Sequence, residues 1–251
     1  MSNSISIEVC VDSLASAIAA ERGGAQRVEL CSNLREGGVT PSAGLIETVR
    51  AKAAIGLHVM IRPRGGDFCY SAEELETMRR DVAFAQRLGA DGVVFGVLHR
   101  DGTVDVKRTR ELVELARPLR VTFHRAFDLS ADLFRALEDV CETGADRILT
   151  SGGKQAALET IPEISSLVKA AGRRISIMAC GGIRAGNAAT IIEQTGAKEI
   201  HVGLSRSVPR GAVYKNPLVS LGTNSGNPDQ RFQVYEEDVR DLHRATATVK
   251  V

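Results

Sequence analysis

The chain of 251 residues has no tryptophan, and aromatic residues make up only 4 % of it, so a surface for stacking bases is not expected. An excess of one charge is missing too. Its 32 basic and 31 acidic residues leave a net charge of +1, with no basic stripe to hold nucleic acid. No uncharged apolar run approaches the length that crosses a bilayer. Lysine and arginine are absent before Arg22, while Glu8 and Asp12 come early, so the start does not read as a signal peptide. The five cysteines are odd in number and irregular in spacing, unlike a secreted disulfide framework. These absences lead to the expectation of a cytoplasmic protein with reduced thiols and neither a membrane nor a nucleic-acid partner.

What is present is a repeated phrase. Gly-Ala, then mostly polar residues and a short apolar run, begins at Gly24, Gly89, Gly144 and Gly196. Each glycine suits the position just past a helix end, where a left-handed backbone is cheap without a Cβ. Each apolar run suits a strand. The spacing of about 50 to 65 residues holds two strand–helix units, which predicts eight units in all. A single-domain (β/α)8 TIM barrel follows, with the whole of 1–251 in one domain. A doubly wound open sheet is the rival, but no Gly-x-Gly-x-x-Gly turn follows the first strand.

Strands are expected at 5–11, 27–31, 57–62, 92–98, 120–124, 147–151, 175–179 and 199–203. Thr40 and Pro41 read as the cap and first residue of a helix, Ser71 to Glu74 as a capping box, and Asp105 and Ser130 as further caps. Helices are also expected at 154–171, 187–195 and 234–246. Residues 208–232, rich in Gly, Asn, Pro and Ser, read as a long loop after the eighth strand, followed by the last helix and tail at 233–251.

Side chains alternate across a strand, so apolar residues that alternate with polar ones mark the helix-covered face. By that rule Glu8, Cys10, Glu29, Cys31, His58, Met60, Arg62, Thr122, His124 and His201 point into the barrel. Two carboxylates on adjacent strands, roughly 5 Å apart, need compensation, for which Arg62 and His124 are the expected cations. An apolar filling would be simpler, so the polar interior points to a functional site rather than to a register-fixing ion pair alone.

Two glycine pairs end the sixth and seventh strands. Backbone N–H groups at Ser151, Gly152 and Gly153, and at Gly181 and Gly182, with Ser205 after the eighth strand, form a candidate anion site. Simple tight turns are the alternative. Cys10 and Cys31 fall at corresponding ends of adjacent strands. Paired thiolates suit Cu(I), the same spacing permits a disulfide under oxidation, and cysteine also serves as a small core residue.

Several strings then carry a family likeness: Ile7-Glu8-Val9-Cys10, Val28-Glu29-Leu30-Cys31, Gly37-Gly38-Val39-Thr40-Pro41-Ser42, the run from Ile61 to Tyr70, Thr122 to Asp128, and Leu149 to Gly153. In that order, over about 5–205, they closely resemble the CutC family. The resemblance implies a cytoplasmic TIM barrel, commonly a homo-oligomer such as a dimer, with a role in copper homeostasis. It makes Cys10 and Cys31 candidate copper ligands, and places Glu8, Glu29, Arg62, His124 and His201 in the family's polar interior. A second reading is an enzyme for a small phosphorylated or otherwise anionic, sugar-like substrate. There Glu8 or Glu29 is the base, His124 the acid and Arg62 an anion contact, in an isomerisation or aldol-type step.

Overall fold

The alternation of apolar and polar side chains closes on itself in the computed structural model as a barrel of eight parallel strands, β1 to β8 in sequence order. The structure describes residues 5–209, 213–214, 218 and 231–249. The strands are β1 (Ser6–Val11), β2 (Arg27–Leu30), β3 (Gly56–Met60), β4 (Gly92–Phe95), β5 (Arg120–Phe123), β6 (Arg147–Thr150), β7 (Ser176–Ala179) and β8 (Glu199–Val202). Between them run α1 (Leu14–Arg22), α2 (Ala43–Lys52), α3 (Ala72–Arg87), α4 (Val106–Ala116), α5 (Leu133–Thr143), α6 (Ile161–Ala171) and α7 (Ala188–Thr195), with α8 (Glu236–Thr246) closing the ring. The chain forms the expected TIM barrel.

The repeated glycines do what the sequence suggests. Gly24, Gly89, Gly144 and Gly196 all have φ between 74° and 94°, ending a helix and turning the chain into the next strand. The main core lies between the outer strand faces and the helices. Ile7, Val9, Val28, Leu30, Leu57, Val59, Val121, Phe123 and Ile200 are wholly buried there, each stabilising the fold by roughly 1.5–3 kcal/mol. The final helix seats on the first: a Cβ at Gly23 would lie 2.4 Å from Val239 Cβ, so only glycine allows that contact. Inside the barrel, apolar filling is confined to two small groups, Cys31 with Met60 and Val94, and Leu149 with Met178 and Cys180.

Several boundaries differ from expectation, β4 for one ending at Phe95 rather than at 98, and three differences at helix starts have a visible cause. α2 is capped by Ser42, whose hydroxyl accepts from Leu45 N at 3.2 Å, because the Thr40 hydroxyl is engaged with the backbone of Arg62. α5 is capped by Asp132, which accepts from Phe134 N and Arg135 N, while the Ser130 hydroxyl donates back to Phe127 O. α6 starts at Ile161, not at 154, since the segment before it first folds into a short 3-10 turn, Ala157–Glu159. After β8 the chain pairs β9 (Arg206–Val208) antiparallel with β10 (Arg231–Gln233). Most of the loop expected at 208–232, and the end of the tail, lie outside the described residues.

Candidate functional site

The parity that puts Glu8 and Glu29 inside also turns Arg27, Arg147 and Glu199 inward, from the first residues of β2, β6 and β8. They build a buried floor. Arg27 donates from Nε to Glu8 Oε2 and, at 2.7 Å, from Nη2 to Glu199 Oε2. Arg147 Nε donates to the same Glu199 oxygen at 2.6 Å, and its Nη1 donates to Thr122 Oγ1 at 3.1 Å. Ser176 completes the Glu199 carboxylate at 2.6 Å. Burial works to raise the Glu8 carboxyl, but Arg27 and then His201 overcome it and hold it well below the ordinary range. Glu199 is likewise lowered, burial being overcome by Arg147 and Arg27. The cations beside Glu8 and Glu29 are thus Arg27 and His201, not the expected Arg62 and His124, while Arg147 compensates Glu199. Arg62 and His124 lie a layer higher. Burial and then the Arg62 charge push the His124 imidazole down to about 3, so it is neutral.

His201 links the floor to the thiols. Its Nδ1 lies 2.8 Å from Glu8 Oε1 and its Nε2 3.8 Å from Glu29 Oε2. Burial works to neutralise it, but Glu29, Cys10 and Glu8 raise it well above the ordinary range, so it is an imidazolium. Above it Cys10 Sγ is 3.2 Å from Glu29 Oε2 and 3.9 Å from Cys31 Sγ, and Cys31 Sγ is 3.5 Å from Glu29 Oε2. Cys31's hydrogen bond, against the opposing effect of burial, helped by His201, brings the Cys10 thiol down to about 5. The same hydrogen bond, then burial, pushes Cys31 well up. Burial, then the Cys10 charge, pushes Glu29 well up. The three groups titrate together and hold one negative charge at neutral pH. That charge balances the layers of the lumen beneath Arg62. Arg27, Arg147 and His201 are their cations, and Glu8 and Glu199 supply two of the three anions needed.

One atom from each of Cys10, Glu29 and Cys31 lies within 4.8 Å of the other two, as is true of Glu8, Glu29 and His201. The second group surrounds an imidazolium, whose nitrogens carry protons, hydrogen-bonded to Glu8 and 3.8 Å from Glu29. The first group suits a soft ion. Metal–thiolate bonds of about 2.3 Å, the value for zinc, let one ion reach two sulfurs up to about 4.6 Å apart. A disulfide does not suit it. β1 pairs Cys10 with Glu29, so Cys31 is two residues out of register, about 8 Å away at Cα from strand spacing, beyond disulfide reach without backbone movement. The reading that the strand spacing permits a disulfide under oxidation is corrected by that offset.

A cavity of about 560 Å³ opens above this layer, lined by Cys10, Glu29, Met60, Arg62, Phe68, His124, Arg125, Asp128, Leu149, His201, Gly203 and Ser205 among others. Arg62 donates from Nη1 to the carbonyls of Glu36 and Gly38 and from Nη2 to that of Gly66. The loop after β6 cradles an anion, but that anion belongs to the protein. Asp128 Oδ1 accepts from Thr150 Oγ1, from Ser151 N at 3.0 Å and from Gly153 N at 3.1 Å, while Oδ2 accepts from Ser151 Oγ and Arg125 Nε. Gly152 N donates to Thr150 Oγ1. Gly152 and Gly181 are glycines for close packing: a Cβ would lie 2.7 Å from Thr160 Cβ at the first and 2.8 Å from Gln155 O at the second. Gly182 O accepts from Asn187, and Ser205 lies on the rim of the cavity. Alternation extended by two residues would have revealed Arg27 and Glu199; Asp128 ends one of the family-like strings, but no spacing signals its role.

The chain matches the model of the CutC family over residues 5–206. It is 45 % identical to a copper homeostasis protein cutC homolog of Mus musculus, over 99 % of this chain and 90 % of that one. The homolog of Homo sapiens is 47 % identical with the same coverage. A solved CutC structure from Streptococcus agalactiae superposes with a TM-score of 0.74 at 36 % identity, covering 78 % of this chain and 97 % of that one.

Proposed function

Since this chain belongs to the CutC family, we propose that it serves copper homeostasis by holding one Cu(I) between the thiolates of Cys10 and Cys31, in the reducing cytoplasm. One observation carries this reading: the two sulfurs stand 3.9 Å apart, Cys10 on the wall of an open cavity and Cys31 buried beside it, above ion pairs whose charges balance around one negative charge. A monovalent ion bound to two thiolates carries that same net charge of minus one. Cu(I) can therefore replace the Cys31 proton without unbalancing the buried ion pairs beneath it. Thiolate sulfur also selects Cu(I) over the hard divalent ions. All five cysteines are free thiols, in keeping with a reducing compartment. Met60, in the same buried group as Cys31, supplies a nearby thioether.

The test is a competition titration with a chromophoric Cu(I) chelator. The wild type should take up one Cu(I) per chain. Cys10→Ser with Cys31→Ser should lower affinity by more than the roughly 100-fold that follows loss of a mere outer-shell partner. Unchanged affinity in the double variant would defeat the assignment.

A further inference from the structure

Three residues that line the cavity each carry a buried polar atom with no hydrogen-bond partner: Arg62 Nε, His124 Nε2 and Glu29 Oε1. Their residues are 4 %, 3 % and 3 % exposed. Leaving such an atom unpaired costs about 1–3 kcal/mol, so three around one space mark what that space is shaped to receive. Copper at the thiols satisfies neither of the first two.

The geometry points to a second site in this cavity, for a small organic carboxylate whose oxygens accept from Arg62 Nε and His124 Nε2 beside the ring of Phe68. Arg62 is a buried guanidinium with no carboxylate partner among the described residues; its terminal nitrogens are held by neutral carbonyls alone. The Tyr70 hydroxyl lies within reach of its charge, yet neither group makes a hydrogen bond of ordinary geometry with the other. The charge is therefore left for a ligand to neutralise. At His124, Nδ1 accepts from Ala126 N at 3.3 Å, which places the proton on Nε2 as a donor. Phe68 holds the two donors together, its ring 4.8 Å from the Arg62 guanidinium carbon and 4.7 Å from the His124 ring centroid.

The class of ligand follows from the rest of the wall. The backbone-amide cradle that would suit a phosphate is filled by Asp128. A single carboxylate matches two N–H donors and one cation. Leu34, Leu129 and Leu149 supply apolar wall for an organic body, and the free Glu29 oxygen suits a hydroxyl next to the ligand's carboxylate. The fit is to a hydroxy acid with an apolar side group.

The full-length Cys10→Ser, Cys31→Ser variant removes copper from the question, so this site stands or falls apart from the copper reading. Calorimetric titration of that variant with mandelate should show one site per chain. Mandelamide, which lacks the charge, and inorganic phosphate should each bind at least about tenfold more weakly. Arg62 also holds loop carbonyls, so the decisive change is His124→Leu, which keeps much of the ring's bulk and removes the donor. It should weaken mandelate by about 10- to 100-fold while thermal unfolding remains cooperative. The inference is overturned if mandelate fails to bind at about 10 mM, if mandelamide or phosphate matches it, or if His124→Leu leaves binding unchanged.

Discussion

Loading the protein with Cu(I) should release about one proton per ion at pH 7, a number that follows from the charges in the lumen. Cys10, brought down to about 5, is already a thiolate there, whereas Cys31 and Glu29 are pushed well up and keep their protons. Binding between two thiolates removes the Cys31 proton alone. Glu29 stays protonated because the thiolate–copper group carries the same net charge as the Cys10 thiolate did. A divalent ion that recruits both thiolates and the Glu29 carboxylate would release two protons. The two cases differ by a whole proton, well within the reach of an indicator-dye titration in weak buffer. Below about pH 5 the Cys10 proton should join, and the yield from Cu(I) should rise toward two. With Cys31→Ser the yield at pH 7 should fall toward zero. A yield of two at pH 7, reduced to one by Glu29→Gln, would refute the charge argument and make Glu29 a ligand.

Acid should weaken the fold before the carboxylates titrate. His58 and His124 are depressed by burial from 6.5 to about 4 and about 3, so between those values and 6.5 the unfolded chain binds more protons. The stability they support is full above 6.5 and declines as pH falls, by up to roughly 1.4 kcal/mol per pH unit for each histidine. Chemical denaturation from pH 7 to 4 reads this slope, and its absence would mean that neither ring is held neutral. Asp128→Ala should destabilise by about 3–5 kcal/mol, because it strips partners from Thr150, Ser151, Gly153 and Arg125. Added formate should restore part of the thermal midpoint, and equal response in the wild type would contradict the cradle. Gly38→Ala places a side chain at φ +86° and 3.0 Å from Cys31 Sγ. It should lower stability by about 1–3 kcal/mol and Cu(I) affinity with it, measured by unfolding and chelator competition.

The barrel was legible because two patterns agree along the whole chain. Left-handed glycines end the helices, and period-two alternation sorts each strand into an outer and an inner face. Glu8, Glu29, Cys10, Cys31 and His201 follow directly from that parity. The ionic partners did not, because Arg27 and Arg147 are the first residues of their strands, where no apolar residue before them marks the face. Parity shows only that a residue faces inward, not its height in the barrel. Arg62 and His124 were therefore paired with carboxylates that lie a layer beneath them. The role of Asp128 was hidden for a different reason. It sits in a short turn after β5 and docks into the loop after β6, a contact between neighbouring units that no local spacing encodes. The same limit hid the two-residue offset of Cys31 from Cys10, since register comes from the pairing of whole strands.

X-ray absorption at the copper edge of the Cu(I)-loaded protein reads the metal's surroundings atom by atom. Two sulfur neighbours, lost when Cys10 and Cys31 are both serine, are what the lumen's charge and the 3.9 Å sulfur separation require. A first shell of nitrogen and oxygen, or one unchanged in the double variant, would place copper elsewhere and leave the thiol pair without the role assigned to it.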